Sequence, residues 1–535
     1  MLRIGFAAVF LTVELAGCSK TPKSEPAGEG PERLGVAAGA AGVAASGSAE
    51  GSAQPPAVAL DGTMSQVGPR DSIHKGKLYA RALRTWVYDA PKPGAAKIGA
   101  IRAGMTLPAS TAAVGRDGCP SGWHAVAPSG FVCVGEDATL DSSDPIVRAL
   151  ADFPADVTKR LPFIYGTVRR PGPVYRRLPS AEELDRYEAD LQKRMKAWLD
   201  APGEIGASYG QQVWVDEKTP PTDPKLAWES HQNDEPPWFL AQGKTPPLLA
   251  GRAVPSDPLL LGRMEPRLGY SILKTFFANG RRYAVTSDLA VVPTDRLRPI
   301  QGSAFHGFRI PEDIEFPFAI IRTAGARFYR FDRDKNRLVP GDVAAYRSAV
   351  RLTGKQNFFR GRLHFETTGE TWVSDSDASR LDPARRMPAW GKNGEKWIDV
   401  NVTKQTLVLF EGIKAVYATL VSTGEAGLKD AENSTATQRG IFRIHTKYVT
   451  ATMDSDEVGE EFELRDVPYV QYFEKGYALH GAYWHDRFGV PKSHGCINLA
   501  PEDARRIFFW TEPTLPQGWH AVLKPLRGTV LFVHP

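Results

Sequence analysis

The stretch HGAYWHDRFGVPKSHGCINL, His480 to Leu499, places three histidines and one cysteine within twenty residues. The whole chain of 535 residues has only four cysteines, so the one between Gly495 and Ile497 needs an explanation. A metal site, a disulfide partner, a buried structural thiol and a nucleophile with its base are the four alternatives. Zinc takes ligands from converging supports, commonly in tight pairs. His480, His485, His494 and Cys496 match neither a finger spacing nor His-Glu-x-x-His, so no metal is expected. The neighbours Ser493-His494-Gly495 and Ile497-Asn498 are too polar and flexible for a core thiol.

A nucleophile accounts for more of these residues. A free thiol titrates near ~8.5, so little of it is thiolate at neutral pH. A neighbouring imidazole can take its proton and hold the pair as thiolate and imidazolium. Gly495 permits a tight turn that exposes the sulfur, and backbone N–H groups around Gly495 and Cys496 are expected to form an oxyanion hole.

His480-Gly481, a gap, and Ser493-His494-Gly495-Cys496-Ile497-Asn498 resemble the signature of the L,D-transpeptidases, the YkuD family. The resemblance runs from about Lys396 to the C-terminus. It includes Thr437-Gln438-Arg439-Gly440-Ile441-Phe442, where Gln438 replaces the family's usual proline, and the final Gly528-Thr529-Val530. It implies a mainly-β sandwich with a packed helix, Cys496 as nucleophile and His480 as proton acceptor and donor. The implied reaction exchanges one peptide bond for another through a thioester, on peptidoglycan stem peptides, with no ATP and no cofactor. His494, Ser493, Asn498 and Gly481 are expected to shape the site. Trp484 lines the substrate cleft or packs beside it, and His485 reads as a surface loop residue. The acyl acceptor stays open between a stem-peptide amine, water, a D-amino acid and a protein lysine. A wall-binding scaffold without catalysis is the reading from another class.

Alternating apolar runs agree with this fold. WIDVNV sets Ile398, Val400 and Val402 on one face. One helix is expected, at APEDARRIFFW, with Pro501 in its first turn and Ala504, Ile507 and Phe508 as its apolar stripe.

Upstream, three segments open with an apolar residue and a tyrosine: TWVYDAP, GPVYRRLPS and ARFYRFDRD, with Tyr88, Tyr175 and Tyr329. Three close on a short apolar run and an Asp-containing turn, at Gly130, Arg282 and Thr371. The first unit, 76–142, resembles a bacterial SH3-like domain. A second, degenerate unit spans 143–316, with one helix expected from Ser180 to Asp200 carrying Leu184, Tyr187, Leu191 and Met195 on one stripe. A weaker third spans 317–390, and the catalytic domain 391–535.

The N-terminus, MLRIGFAAVFLTVELAGCSK, is too short for a spanning helix and reads as an export signal. Leu15-Ala16-Gly17-Cys18 resembles a lipoprotein signal, which implies residues 1–18 as signal peptide and a lipid anchor on Cys18. Residues 19–75 form a low-complexity tether poor in large apolar groups. Export into the cell envelope, facing the periplasm, implies an oxidising compartment, in which Cys119 and Cys133 are expected to pair. With 66 basic against 61 acidic residues, nothing points to nucleic acid.

Overall fold

The computed structural model describes residues 74–535 except 204, 215–222, 229–234, 385, 456–461 and 525. The expected export signal, Cys18 and nearly all of the expected tether lie outside the described residues. The protein is mainly β and multidomain, with several sheets and few helices. Among the described residues no helix is long and apolar enough to cross a membrane.

The C-terminal domain packs two sheets and one helix around a common core. One sheet runs Phe308–Arg309, Lys414–Leu420, Thr406–Glu411, Lys396–Asn401, Val530–His534 and Gly440–Arg443 in spatial order. Ile398, Val400 and Val402 of this sheet meet Leu479, Ile497 and Leu499 of the other. The helix Pro501–Trp510 lays Ala504, Ile507 and Phe508 on that core. Its Asp503 is no solvated first-turn acid. It is buried and accepts from the Tyr417 hydroxyl at 2.6 Å, the Thr419 hydroxyl at 2.5 Å and the Gly307 amide at 2.9 Å.

The second sheet extends beyond its domain. The strand Lys97–Ile101 of the first unit pairs with Ala521–Leu523, Gly99 opposite Val522. The strand Leu268–Ala278 of the second unit runs parallel to Phe462–Glu474, Leu268 opposite Glu463. Residues 318–381 instead form a seven-stranded sheet of their own.

In the first and third units the opening tyrosine pairs with the closing strand, Tyr88 with Phe131 and Tyr329 with Trp372, whereas Tyr175 of the second pairs with Val291, on the strand that follows the Asp288 turn. All three pairings are antiparallel. The Cys119–Cys133 disulfide, with Cα atoms 5.9 Å apart, staples the hairpin of the first unit.

The helix expected from Ser180 to Asp200 is two helices, Ala181–Tyr187 and Leu191–Leu199. Ser180 and Glu183 form a reciprocal capping box at the start of the first. The break falls at Glu188, whose carboxylate is buried among Arg281, Arg194 and Arg296 and accepts from the Tyr175 hydroxyl at 2.6 Å. Burial would raise its carboxyl pKa, but the arginines hold it far below the usual range. The bend that delivers Glu188 to these partners leaves Tyr187 exposed, off the apolar stripe.

Candidate functional site

The strands Tyr477–Gly481 and Ile497–Leu499 are parallel neighbours, with Leu479 opposite Ile497 and His480 opposite Asn498. Paired residues share a sheet face and successive ones alternate. Leu479 and Ile497 point into the core, so His480 and Cys496, one residue from each, lie together on the opposite face. Cys496 packs there among Ala478, Val470 and Tyr483. Its sulfur is 3.8 Å from the Gly476 carbonyl oxygen.

The turn before the sulfur is closed by Ser493. Its hydroxyl donates to the Cys496 carbonyl at 2.5 Å and accepts the Gly495 N–H at 3.2 Å. That Gly495 amide is therefore turned toward Ser493, away from the oxyanion role expected for it. Gly495 itself has φ +126°, and a Cβ there would come within 2.5 Å of the Tyr477 ring. The turn is also tied to the neighbouring strand end, since Ser493 donates its amide to Thr423 and Glu425 donates its own to Ser493. Lys492 meets Glu425 at 3.3 Å.

His480 is fully buried, its ring 5.6 Å from that of Trp484. Burial pushes its imidazole pKa down to about 3, partly offset by a backbone hydrogen bond at Gly481. Burial thus favours the neutral imidazole at His480. His485 is no plain surface residue. Its Nε2 accepts from the Asn498 Nδ2 at 3.0 Å and its ring lies 5.0 Å from Phe488. Burial, with His480 and nearby cations, pushes its pKa down as well. Trp484 is half-buried between His480 and Tyr483, and His494 is half-buried with its ring 6.3 Å from Phe462. Gly481 brings its strand close to the helix, where a Cβ on it would lie 3.2 Å from that of Ala504. Among the described residues no group of three or more His, Cys, Asp or Glu side chains is placed to hold a metal ion.

Tyr477, which seats Gly495, and Tyr165 of the second unit carried no signal in the sequence. Tyr165 stacks on Tyr483 at 4.3 Å and donates to the Asp466 carbonyl at 2.7 Å. Both contacts join segments distant in the chain, where neither composition nor spacing marks them.

Residues 395–523 match the YkuD family model, the L,D-transpeptidase catalytic domain. None of the curated proteins matches the chain. Among solved structures, the chain is similar to an Enterococcus faecium L,D-transpeptidase at 20% identity and TM-score 0.20, covering 26% of this chain and 50% of that one. A Mycobacterium smegmatis L,D-transpeptidase matches at 18% identity and TM-score 0.21, over 32% of this chain and 67% of that one. A third, from Stackebrandtia nassauensis, matches at 27% and TM-score 0.19, over 29% and 58% respectively. This chain thus spans about half the length of the Enterococcus faecium protein. The family match places a YkuD-type L,D-transpeptidase catalytic domain at the C-terminal end of the chain.

Proposed function

We propose that the protein is a peptidoglycan L,D-transpeptidase in which Cys496 is the nucleophile and His480 its base. The observation that supports this best is the common sheet face of Cys496 and His480, held by two paired strands inside a YkuD-type domain. Neutral His480 takes the thiol proton as the sulfur attacks the carbonyl carbon of the L-residue in a stem peptide. The C–N bond to the terminal D-residue breaks, and His480 returns the proton to the departing amine. A thioester remains on Cys496. An amine of a second stem peptide then attacks the same carbon, His480 takes its proton, and the C–S bond breaks to restore the thiol. Ser493 and Gly495 set the angle of the sulfur, and Asn498, held by His485, borders the base.

Around this core the proposal adds three SH3-like units, a signal ending at Cys18, and a lipid anchor holding the enzyme in the cell envelope. The acceptor is a stem-peptide amine; water or a protein lysine would use the same thioester.

Incubation of the reduced protein with disaccharide-tetrapeptides, followed by mass analysis, should yield cross-linked dimers. Cys496→Ala should yield none, and residual turnover would disprove the nucleophile. A carbapenem, whose strained lactam mimics the scissile amide, should leave a mass adduct on the reduced wild type and none on Cys496→Ala. His480→Ala should slow this acylation by roughly 10²–10⁴-fold, the usual scale of general base catalysis. An equal loss in His494→Ala with His480→Ala unaffected would move the base. Because a base with a pKa near 3 stays neutral in mild acid, wild-type acylation should persist at pH 5. A fall centred between pH 6 and 7 would mean that His480 is hydrated in the reactive state.

A further inference from the structure

A cleft of about 1080 Å³ opens between the first unit, the second unit and the long hairpin formed by Thr446–Ser455 and Phe462–Glu474. Arg84 and Trp86 come from the first unit, Arg252 from the second, and Tyr448 and Tyr472 from the hairpin. The guanidinium of Arg84 lies over both the Trp86 and Tyr448 rings, 5.3 and 5.5 Å from their centroids.

The register connects this cleft to the sulfur. Thr446 stands opposite Tyr472, Tyr472 opposite Ala478, and Ala478 is next to Leu479, the partner of Ile497. Tyr472 and Cys496 therefore share one sheet face. The cleft is lined by Gly476, whose carbonyl oxygen lies 3.8 Å from the Cys496 sulfur. His480, Trp484 and His485 do not line the cleft. Cys496 itself is buried and does not line the cleft, which meets it through the Gly476 backbone.

We infer that the cleft seats a stem peptide on its way to Cys496, with the first unit forming its outer wall. This rests on the acyl-transfer reading and gives the N-terminal unit a part in substrate binding. Five basic and five acidic side chains line the cleft. Arg102 pairs with Asp466, Arg252 and Arg465 with Asp288, and Arg465 with Glu463; Arg84, exposed over the Trp86 and Tyr448 rings, is a cation placed to meet a peptide carboxylate. The aromatic walls cover the peptide's apolar stem.

The test uses the full chain and Arg84→Glu, an exposed position where folding is not at risk. Binding of a disaccharide-tetrapeptide, measured by calorimetry, should weaken at least tenfold, and KM should rise by the same factor. Carbapenem acylation, which needs only the sulfur and its base, should change much less than KM. Unchanged binding would overturn the inference, as would an equal fall in acylation, which would signal damage to the sulfur site. A wild type that binds the tetrapeptide but is never acylated supports the cleft and defeats the acyl-transfer reading; a wild type that is acylated but binds no tetrapeptide defeats the cleft alone.

Discussion

The first two units and the third are joined to the catalytic domain in different ways. The first two share its backbone: their strands extend its sheet, and their side chains converge on Asp466. That carboxylate is buried and takes a two-pronged pair from Arg102 at 2.6 and 2.9 Å, with hydroxyls from Ser271 at 2.5 Å, Ser287 at 2.6 Å and Thr450 at 2.8 Å. Its burial would raise its pKa, yet Arg102 and the hydroxyls hold it below the ordinary range. The third unit keeps its own sheet and docks through side chains. Phe318, Ile320 and Leu381 join an apolar cluster with Leu420 and Phe488. Arg322 donates to the Gly489 carbonyl at 3.1 Å, and Arg347 to Asp486 at 3.0 Å. The difference shows which parts can be removed. Deleting the first two units strips strand partners from the sheet that carries Cys496, so they are structural members of the site as well as appendages to it.

The sharpest way to break this contrast is Asp466→Ala. Arg102 would be left buried without its partner, and removal of one member of such a pair costs about 3–5 kcal/mol. Thermal unfolding should show the loss in the first two units and the catalytic domain together. A transition confined to one unit would mean that they are not one cooperative body.

Acid should weaken the same joint. His520, buried beside Asp466 and Arg102, is pushed down to about 3 by burial and the nearby cations. Between pH 3 and 6.5 the unfolded chain binds a proton that the folded chain refuses, so stability is full above 6.5 and falls as pH drops toward 3. His480 and His485 act in the same direction. Denaturant midpoints measured from pH 7 to pH 4 should decline, and His520→Gln should decline less steeply. Parallel slopes would remove His520 from the account.

The smallest effect is expected at the third unit. Arg347→Ala gives up a partly exposed pair and contacts over the Phe305 and Phe488 rings, worth about 1–2 kcal/mol together. The loss should stay within that unit's own transition. A loss as large as that of Asp466→Ala would erase the distinction between the two joints.

Sequence alone determined the features carried by near neighbours. The alternation of Ile398, Val400 and Val402 follows from the pleat, and the Ser180–Glu183 cap from three residues of spacing. The Ser493–Cys496 turn is likewise closed by residues three apart, and Pro501 marks the helix start from within it. Tertiary structure decided whatever depends on partners far away in the chain. Glu188 splits its helix because three arginines gather its carboxylate, two of them from distant segments. His485 is drawn onto Asn498, thirteen residues on, and the Gly495 amide is turned to a hydroxyl. Asp466 becomes a junction through Arg102, 364 residues away. Local spacing is written in the chain because backbone geometry relates near neighbours directly, while a buried charge acquires its role only from whatever the fold brings beside it.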